Sequence, residues 1–396
     1  MTPNNIMQMN SPLIYNHVAN SGVLCESFEN INNWSVFGGA GTFESDAVNF
    51  TEGTLSLKLT PSAANGVIGV RSVTNFDLSK WNKFLTIDVL VPDKTTAGNI
   101  WVYFCTTSGM GKGMVCQINY SSAAYQDGWN KVIIHPDDWT SLGGGSWNDT
   151  LTYIGVRYQS GAAQNGPRGF DNIRFGVRTV PKLLFVFDDV YKSANDNAIA
   201  YMVSKGLKGT LYPNMDRVND PERMNEEELN SRYEIGWSIG NHVRDHTDLT
   251  TLATAEEIIA KIQPQTDWAL LKGWTRGIKS LALPAGGYND LVLSTIRGLG
   301  FKTIRSSDFG YNYSPYYGGF FRATVLSTAV SLATAKTYID NTIKYGATFV
   351  FYGHKFLAEP APSDFAIANF CELIDYSIAS GIDIVTEDQW EVSRNI

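Results

Sequence analysis

The chain changes hydrophobic rhythm once, at Thr179-Val180-Pro181, and that change limits the folds open to it. Before this joint, short runs at 54–59, 84–90, 100–104 and 131–134 alternate apolar and polar residues. Successive side chains of a strand point to opposite faces, so each run reads as a half-buried strand. Gly, Asn, Ser and Asp clusters separate the runs, and no long 3.6-residue periodicity intervenes. The pattern predicts an all-β sandwich or jelly roll over 22–178. After the joint, strand-like runs alternate with helical ones. Strands are expected at 182–189, 209–212, 237–241, 280–283, 302–305, 348–352 and 382–385. Helices are expected at 195–205, 221–233, 254–271, 289–299, 332–345 and 363–380, with Pro264 kinking or splitting the third. Such alternation implies a parallel sheet, most simply closed as a (β/α) barrel over 182–396. The organisation expected is therefore a multidomain chain: a lead-in at 1–21, the sandwich, a linker at 179–181 and the barrel.

The chain has 396 residues, more than one ordinary core organises, which agrees with two domains. The net charge of −8 is shared, with 11 Lys+Arg against 13 Asp+Glu up to Val180 and 20 against 26 after it. Neither half is basic, so nucleic-acid and anionic-membrane partners are not expected. No apolar run reaches the ~18 residues of a membrane span. The first twenty residues are polar, without a basic flank or apolar core. They read as a lead-in or a connection to a larger assembly, not as a secretory signal peptide. Of the four cysteines, Cys105 and Cys116 flank a hairpin-like stretch that admits a disulfide, but free half-buried thiols are the preferred reading, because Cys is often simply core. His17 and His135 read as incidental. Trp34, Trp81, Trp101 and Trp129 read mainly as core. Trp139 and Trp147, in a loop-like stretch, are the better candidates for a platform that stacks on sugars.

Ionisable residues stand where strands of the second half end. Asp188 and Asp189 follow the run 183–187, His242 and His246 follow 237–241, and His354 follows 348–353. In (β/α) barrels the chemistry sits at these C-terminal ends. A His-x-x-x-His on a helical turn puts both rings on one face. A carboxylate from a neighbouring strand completes a three-ligand site that leaves a position open for water. Zinc suits that set first, with cobalt, nickel, manganese or iron also fitting. The second carboxylate is then free to take a proton. The competing reading is two polar loop histidines beside acids that cap the next helix.

The segments Phe185-Val186-Phe187-Asp188-Asp189, Gly240-Asn241-His242-Val243-Arg244-Asp245-His246, Pro284-Ala285-Gly286 and Phe351-Tyr352-Gly353-His354 resemble, in order and spacing, the polysaccharide deacetylases of carbohydrate esterase family four. The resemblance covers about 181–390. It implies an irregular barrel, Asp188 as general base, Asp189, His242 and His246 as metal ligands, and His354 as general acid. Acetate would leave an acetylated glycan through attack of water activated at a divalent ion. A backbone N–H near Gly286 or Gly287 would hold the oxyanion. The sequence departs from the pattern at Val186 and Val243. It departs most at Ala282-Leu283-Pro284-Ala285-Gly286, which lacks the arginine that pairs with the base and the aromatic that lines the acetyl pocket. Arg305, at the next strand end, is the candidate replacement cation, with a surface charge as the alternative. Asp308 is a candidate for orienting a partner. Substrate contacts are expected from Pro284, Gly286, Gly287, Tyr288, Asn241 and Tyr311, the last with Tyr313, Tyr316 and Tyr317 in a long aromatic connection; the alternatives are that Asn241 positions its loop and that the connection is a self-packed cover over the barrel rim.

The first half, through Phe28-Glu29-Asn30, Trp34, the stretch 52–58 and Phe170-Asp171-Asn172-Ile173-Arg174-Phe175, resembles non-catalytic carbohydrate-binding jelly rolls. That resemblance implies a structural Ca²⁺ on Glu26 and Asp171, with plain surface carboxylates as the alternative. The whole reads as a metal-dependent deacetylase of a capsule, cell-wall, chitin-like or xylan-like polysaccharide, extracellular or on a virion such as a phage tail. A catalytically impaired glycan binder that keeps the barrel is the alternative, as is a two-carboxylate glycoside hydrolase.

Overall fold

The computed structural model describes residues 22–74, 76–78, 84–93, 98–119, 127–134, 136–161, 166–175, 180–312 and 320–394. The lead-in 1–21, Thr179 of the linker, His17, Trp81, His135, Tyr313, Tyr316 and Tyr317 lie outside the described residues. The chain divides into two compact units, the first ending at Arg178.

The first unit contains β1 (Val23–Glu26), β2 (Ser35–Gly39), β3 (Gly41–Asp46), β4 (Ser56–Pro61), β5 (Val67–Val73), β6 (Leu85–Val91), β7 (Gly98–Cys105), β8 (Gly113–Asn119), β9 (Gly128–Ile134), β10 (Thr140–Leu142), β11 (Tyr153–Ser160) and β12 (Arg168–Phe175). They form two antiparallel sheets, β3-β4-β12-β6-β9 with β1 also on β12, and β10-β8-β7-β11-β5-β2. The alternating runs supply one shared core from both sheets, including Leu57, Leu59, Ile87, Val89, Val102, Phe104, Val156 and Phe170. Strand β12 is buried along its whole length. Its charged side chains find partners: Arg174 pairs with Glu52 at 2.6 Å, and Arg168 stacks on Tyr158.

The structure bears on three readings of this unit. Trp139 belongs to the core, 7 % exposed, and Trp147 packs edge-on against it at 5.1 Å. Both rings also approach Phe104, so the indoles that looked like a sugar platform fill the end of the sandwich. Cys105 and Cys116 are free thiols. They sit on neighbouring strands out of register, Cys105 opposite Gly113 and Cys116 opposite Val102, so no disulfide can span them. Glu26 and Asp171 do not form a metal-ligand cluster with other acids among the described residues. Asp171 accepts from the N–H groups of Thr51, Glu52 and Asn172, and Glu26 from that of Phe28. Amide donors thus occupy both oxygens of Asp171 and Oε1 of Glu26. Burial pushes the Asp171 carboxyl up to about 6.

The second unit begins with β13 (Lys182–Asp188), buried from Leu183 onward as a central parallel strand must be. It pairs with β14 (Thr210–Tyr212) on one side and β20 (Thr348–Gly353) on the other. The parallel sheet continues to β15 (Ser238–Ile239) and to β19 (Thr324–Val325), with β23 (Asp383–Ile384) also on β13. A second parallel sheet holds β16 (Ser280–Ala282), β17 (Thr303–Arg305) and β18 (Phe320–Phe321). One isolated bridge, Asn241 to Leu281, connects the two. Among the described residues no ladder joins β18 to β19, so strand pairing does not draw the closed barrel that was expected.

Side chains of Asn225, Thr254, Asn289 and Ser331 cap four of the helices. Helix α1 (Ala200–Ser204) follows a π-type turn at Ala194–Ile199. Helix α2 (Glu226–Glu234) opens on an Asn225–Glu228 capping box, so Pro221 lies before it and not in its first turn as expected. Helix α3 (Ala255–Leu271) opens on Thr254 and Glu257 and runs through Pro264 without splitting. Helices α4 (Asp290–Gly298) and α5 (Leu332–Tyr345) follow, the latter ended by Gly346 at φ 63°. Helix α6 (Ile367–Ala379) is shorter than expected because β22 (Phe365–Ala366) pairs with β21 (Phe356–Leu357). A final helix, α7 (Glu387–Arg394), was not anticipated. Its fully buried Glu387 accepts from Tyr212 on β14 at 2.5 Å and from Thr303 on β17 at 3.0 Å, joining the two sheets.

Candidate metal centre and active site

Asp188 is the last residue of β13, and Asp189 turns away from the strand at φ 61°. The turn sends the two carboxylates in different directions. Asp188, 3 % exposed, receives Arg305 Nη2 on both oxygens at 2.6 and 2.5 Å. Arg305 ends β17, is 1 % exposed, and lies over the rings of Tyr352 at 4.6 Å and Tyr212 at 5.7 Å. Burial pushes the Asp188 carboxyl up, but Arg305, with His242 and His354 beyond it, outweighs burial and holds it below the ordinary carboxylate range. Arg305, from the end of the next strand, is thus the buried cation paired with Asp188.

His242 and His246 follow β15. They sit on a turn with Val243 and His246 both at φ 61°, not on the helical turn the spacing suggested. A β-branched residue at positive φ is an outlier, and such strain gathers where a site dictates the backbone. Several contacts hold the turn. Asn214 Nδ2 donates to the carbonyls of His242 and Val243 at 3.0 and 3.3 Å. Asn241 accepts from Val243 N and donates to the Ile262 carbonyl. Arg244 N donates to the Lys261 carbonyl at 3.2 Å. Lys261 and Ile262 lie in the turn of α3 that Pro264 loosens by lacking an N–H.

His242 Nδ1 lies 2.9 Å from the Ala282 carbonyl. A carbonyl only accepts, so Nδ1 carries the proton and Nε2 presents its lone pair. That buried Nε2 has no hydrogen-bond partner. It lies 3.9 Å from Asp189 Oδ1, and His246 Nε2 is also 3.9 Å from Oδ1. The imidazole rings are 5.0 Å apart at 83°. Burial lowers the His242 pKa and keeps the ring neutral, as a ligand must be. All three donor atoms lie within 4.8 Å of one another, and theirs is the one such cluster among the described residues. An orphaned imidazole nitrogen, a second imidazole and a carboxylate oxygen converging on one point fit a divalent ion.

A cavity of about 150 Å³ opens over this point. Asp188, His242, His246, Arg305 and His354 line it, which brings together all the catalytic and metal candidates except Asp189, whose oxygen closes on the histidines. Ala285 and Gly286 line it from one side, Ala285 at φ 54° and Gly286 at φ 71°. A Cβ on Gly286 would meet Ser307 Oγ at 1.9 Å, so only glycine lets this loop lie on β17's continuation. Ligand pockets commonly run to ~300–1,000 Å³. This one suits an acetyl-sized group with the rest of a substrate outside.

Ser307 and Tyr352 also line the cavity, and neither was singled out from sequence. Their position beside Arg305 and His354 was the available signal. Of the expected substrate contacts, only Gly286 lines the cavity; Pro284 and Gly287 flank it in the same loop. Tyr288 packs on Phe320 and donates to Asp308 at 2.8 Å. Asn241 is 3 % exposed and holds the histidine turn rather than substrate. Tyr311 is 6 % exposed, packed between Tyr345 and Phe349, and covers the sheet rather than lining a groove.

Residues 177–304 match the family model described as polysaccharide deacetylase. No curated protein sequence matches the chain. Among solved structures, the chain is similar to the Xyl-CE4 domain of a multidomain xylanase from the hindgut metagenome of Trinervitermes trinervoides, at 14% identity and a TM-score of 0.38, over 55% of this chain and 93% of that one. It is similar to the chitin deacetylase of Colletotrichum lindemuthianum, at 14% identity and 0.39, over 53% and 87%. It is also similar to a family four carbohydrate esterase pseudoenzyme of Bacillus anthracis, at 13% identity and 0.39, over 54% and 66%.

Proposed function

We propose, from the premise that the second unit carries a polysaccharide deacetylase domain, that this chain removes acetyl groups from an acetylated glycan and needs a divalent metal to do so. The observation that carries the reading is the division of the acid pair: Asp188 is engaged by Arg305, and Asp189 faces His242 and His246. Asp189, His242 and His246 would hold the metal, zinc by preference for two imidazoles and a carboxylate, with cobalt, nickel or manganese as substitutes. When bound, the metal supplies Lewis acidity to the acetyl carbonyl and makes water more acidic. Asp188 accepts the proton of the attacking water. The depressed pKa keeps Asp188 ionised and ready. His354, across the cavity, protonates the leaving amine or alcohol. The N–H groups around Gly286 steady the oxygen that gains charge.

The two parallel sheets are read as an irregular barrel open between β18 and β19. Glycan chemistry suits work outside a cell or on a virion such as a phage tail, with the sandwich holding glycan or joining a larger assembly. Arg305 on Asp188 supports turnover over the binder without turnover, for which the missing motif arginine speaks. Acetate assay on N- and O-acetylated glycans, with Asp188→Asn beside the wild type, tests the reading. Release by the wild type and loss of about 10²–10⁴-fold in the variant is expected for removal of a general base. Shortened chains without acetate would point to glycoside hydrolysis instead.

A further inference from the structure

Arg223 lies just before α2 and is 6 % exposed. Its Nη1 donates to the main-chain carbonyl of Asp189 at 2.8 Å and stands 3.4 Å from Asp189 Oδ2. The guanidinium stacks on Tyr191, 3.4 Å from the ring centre, and the main chains of Tyr191 and Arg223 form an antiparallel bridge. Between these contacts the backbone is strained, with Asp189 at φ 61° and Val190 at φ 42°. Neither residue is glycine, and valine is β-branched, so the turn needs an external hold. Arg223 grips both the carbonyl that has swung out of β13 and the outer carboxylate oxygen. Oδ1 is left facing the two histidines, 3.9 Å from each.

We propose that Arg223 is a positioning residue of the metal centre, orienting Asp189 so that Oδ1 meets the ion. The acid pair is then divided by two arginines, Arg305 on Asp188 and Arg223 on Asp189. This rests on reading Asp189, His242 and His246 as metal ligands. A guanidinium beside a ligand also draws negative charge away from the ion. Orientation is the larger effect, because Nη1 holds both the carbonyl and Oδ2 of Asp189, whereas backbone bonds to Tyr212 and Met224 hold only the main chain of the turn. Partners that orient a ligand commonly contribute 10–100-fold in metal affinity.

The test is Co²⁺ titration of the full chain, followed by visible absorption, for wild type, R223K, R223M, D189N and the double variant R223M/D189N. Loss of about 10–100-fold in affinity is expected for R223M, with R223K intermediate because it keeps one charged donor. In the D189N background R223M should change affinity little, since Arg223 acts through Asp189. Equal affinity of R223M and wild type overturns the proposal, as does an equal loss with and without Asp189. If R223M does not fold, R223K and R223K/D189N carry the same comparison. A wild type that binds no Co²⁺ sinks the metal reading itself, an outcome distinct from unchanged binding in the variants.

Discussion

Arg305 reaches across 117 residues of sequence to put both contacts on Asp188. Its effect on the base has a definite sign. Burial alone raises the Asp188 pKa, and Arg305 is the largest influence lowering it. The working form is the carboxylate, which persists above its folded-state pKa and is lost as pH falls through it. Removing the cation in Arg305→Met therefore moves the acid limb of kcat/KM to higher pH. The pH–rate profile of the variant checks this, and an unmoved limb would mean Arg305 does not act on the base. The acid pair and the histidine pair were legible in the sequence because each is local: two adjacent residues, and two residues four apart. Arg305 was legible only as a strand end. Ser307, Tyr352, Asn214 and Arg223 were not, because their roles come from contacts between segments that no local pattern links.

At the scale of elements, the Thr254–Glu257 pair marked the start of α3, since a cap is a bond within a few residues, whereas the Asn225 cap of α2 was passed over for Pro221. The two-residue strands β18 and β19 carry too few residues to show a period, and α7 is recognised only by what it buries. Its first residue, Glu387, satisfies Tyr212 and Thr303 in the interior. Glu387→Leu leaves both hydroxyls buried without their acceptor and should cost about 1–3 kcal/mol. Urea unfolding followed by tryptophan fluorescence measures it. Glu387→Gln keeps an acceptor and should cost less. Equal stability of the leucine variant and wild type would remove α7 from the account of how β14 and β17 are held. The histidine turn shows the same logic on the functional side. The spacing indicated a chelating pair, but the fold brings it about with two left-handed residues, anchored on α3 near Pro264, instead of a helix.

Across the whole molecule, the change of rhythm near 180 was the most legible feature, and each unit has its own core. The contents of the first unit were less legible, because aromatic residues in a loop-like stretch look alike whether they stack on sugar or fill a core. Trp139 and Trp147 do the second. Asp171 and Glu26 already accept amide hydrogens, so millimolar Ca²⁺ should leave the melting temperature of the sandwich unchanged. Differential scanning calorimetry with Ca²⁺ and with chelator decides it, and a rise in the sandwich transition would restore the calcium site. The central claim concerns the second unit: a metal held by Asp189, His242 and His246 serves deacetylation by Asp188 and His354. It is tested most directly by acetate release from N- and O-acetylated polysaccharides before chelation, after chelation, and after Zn²⁺ or Co²⁺ is restored. The account predicts release that disappears with chelation and returns with metal. Release undiminished by complete metal removal, or none from any substrate by the metal-loaded protein, would contradict it.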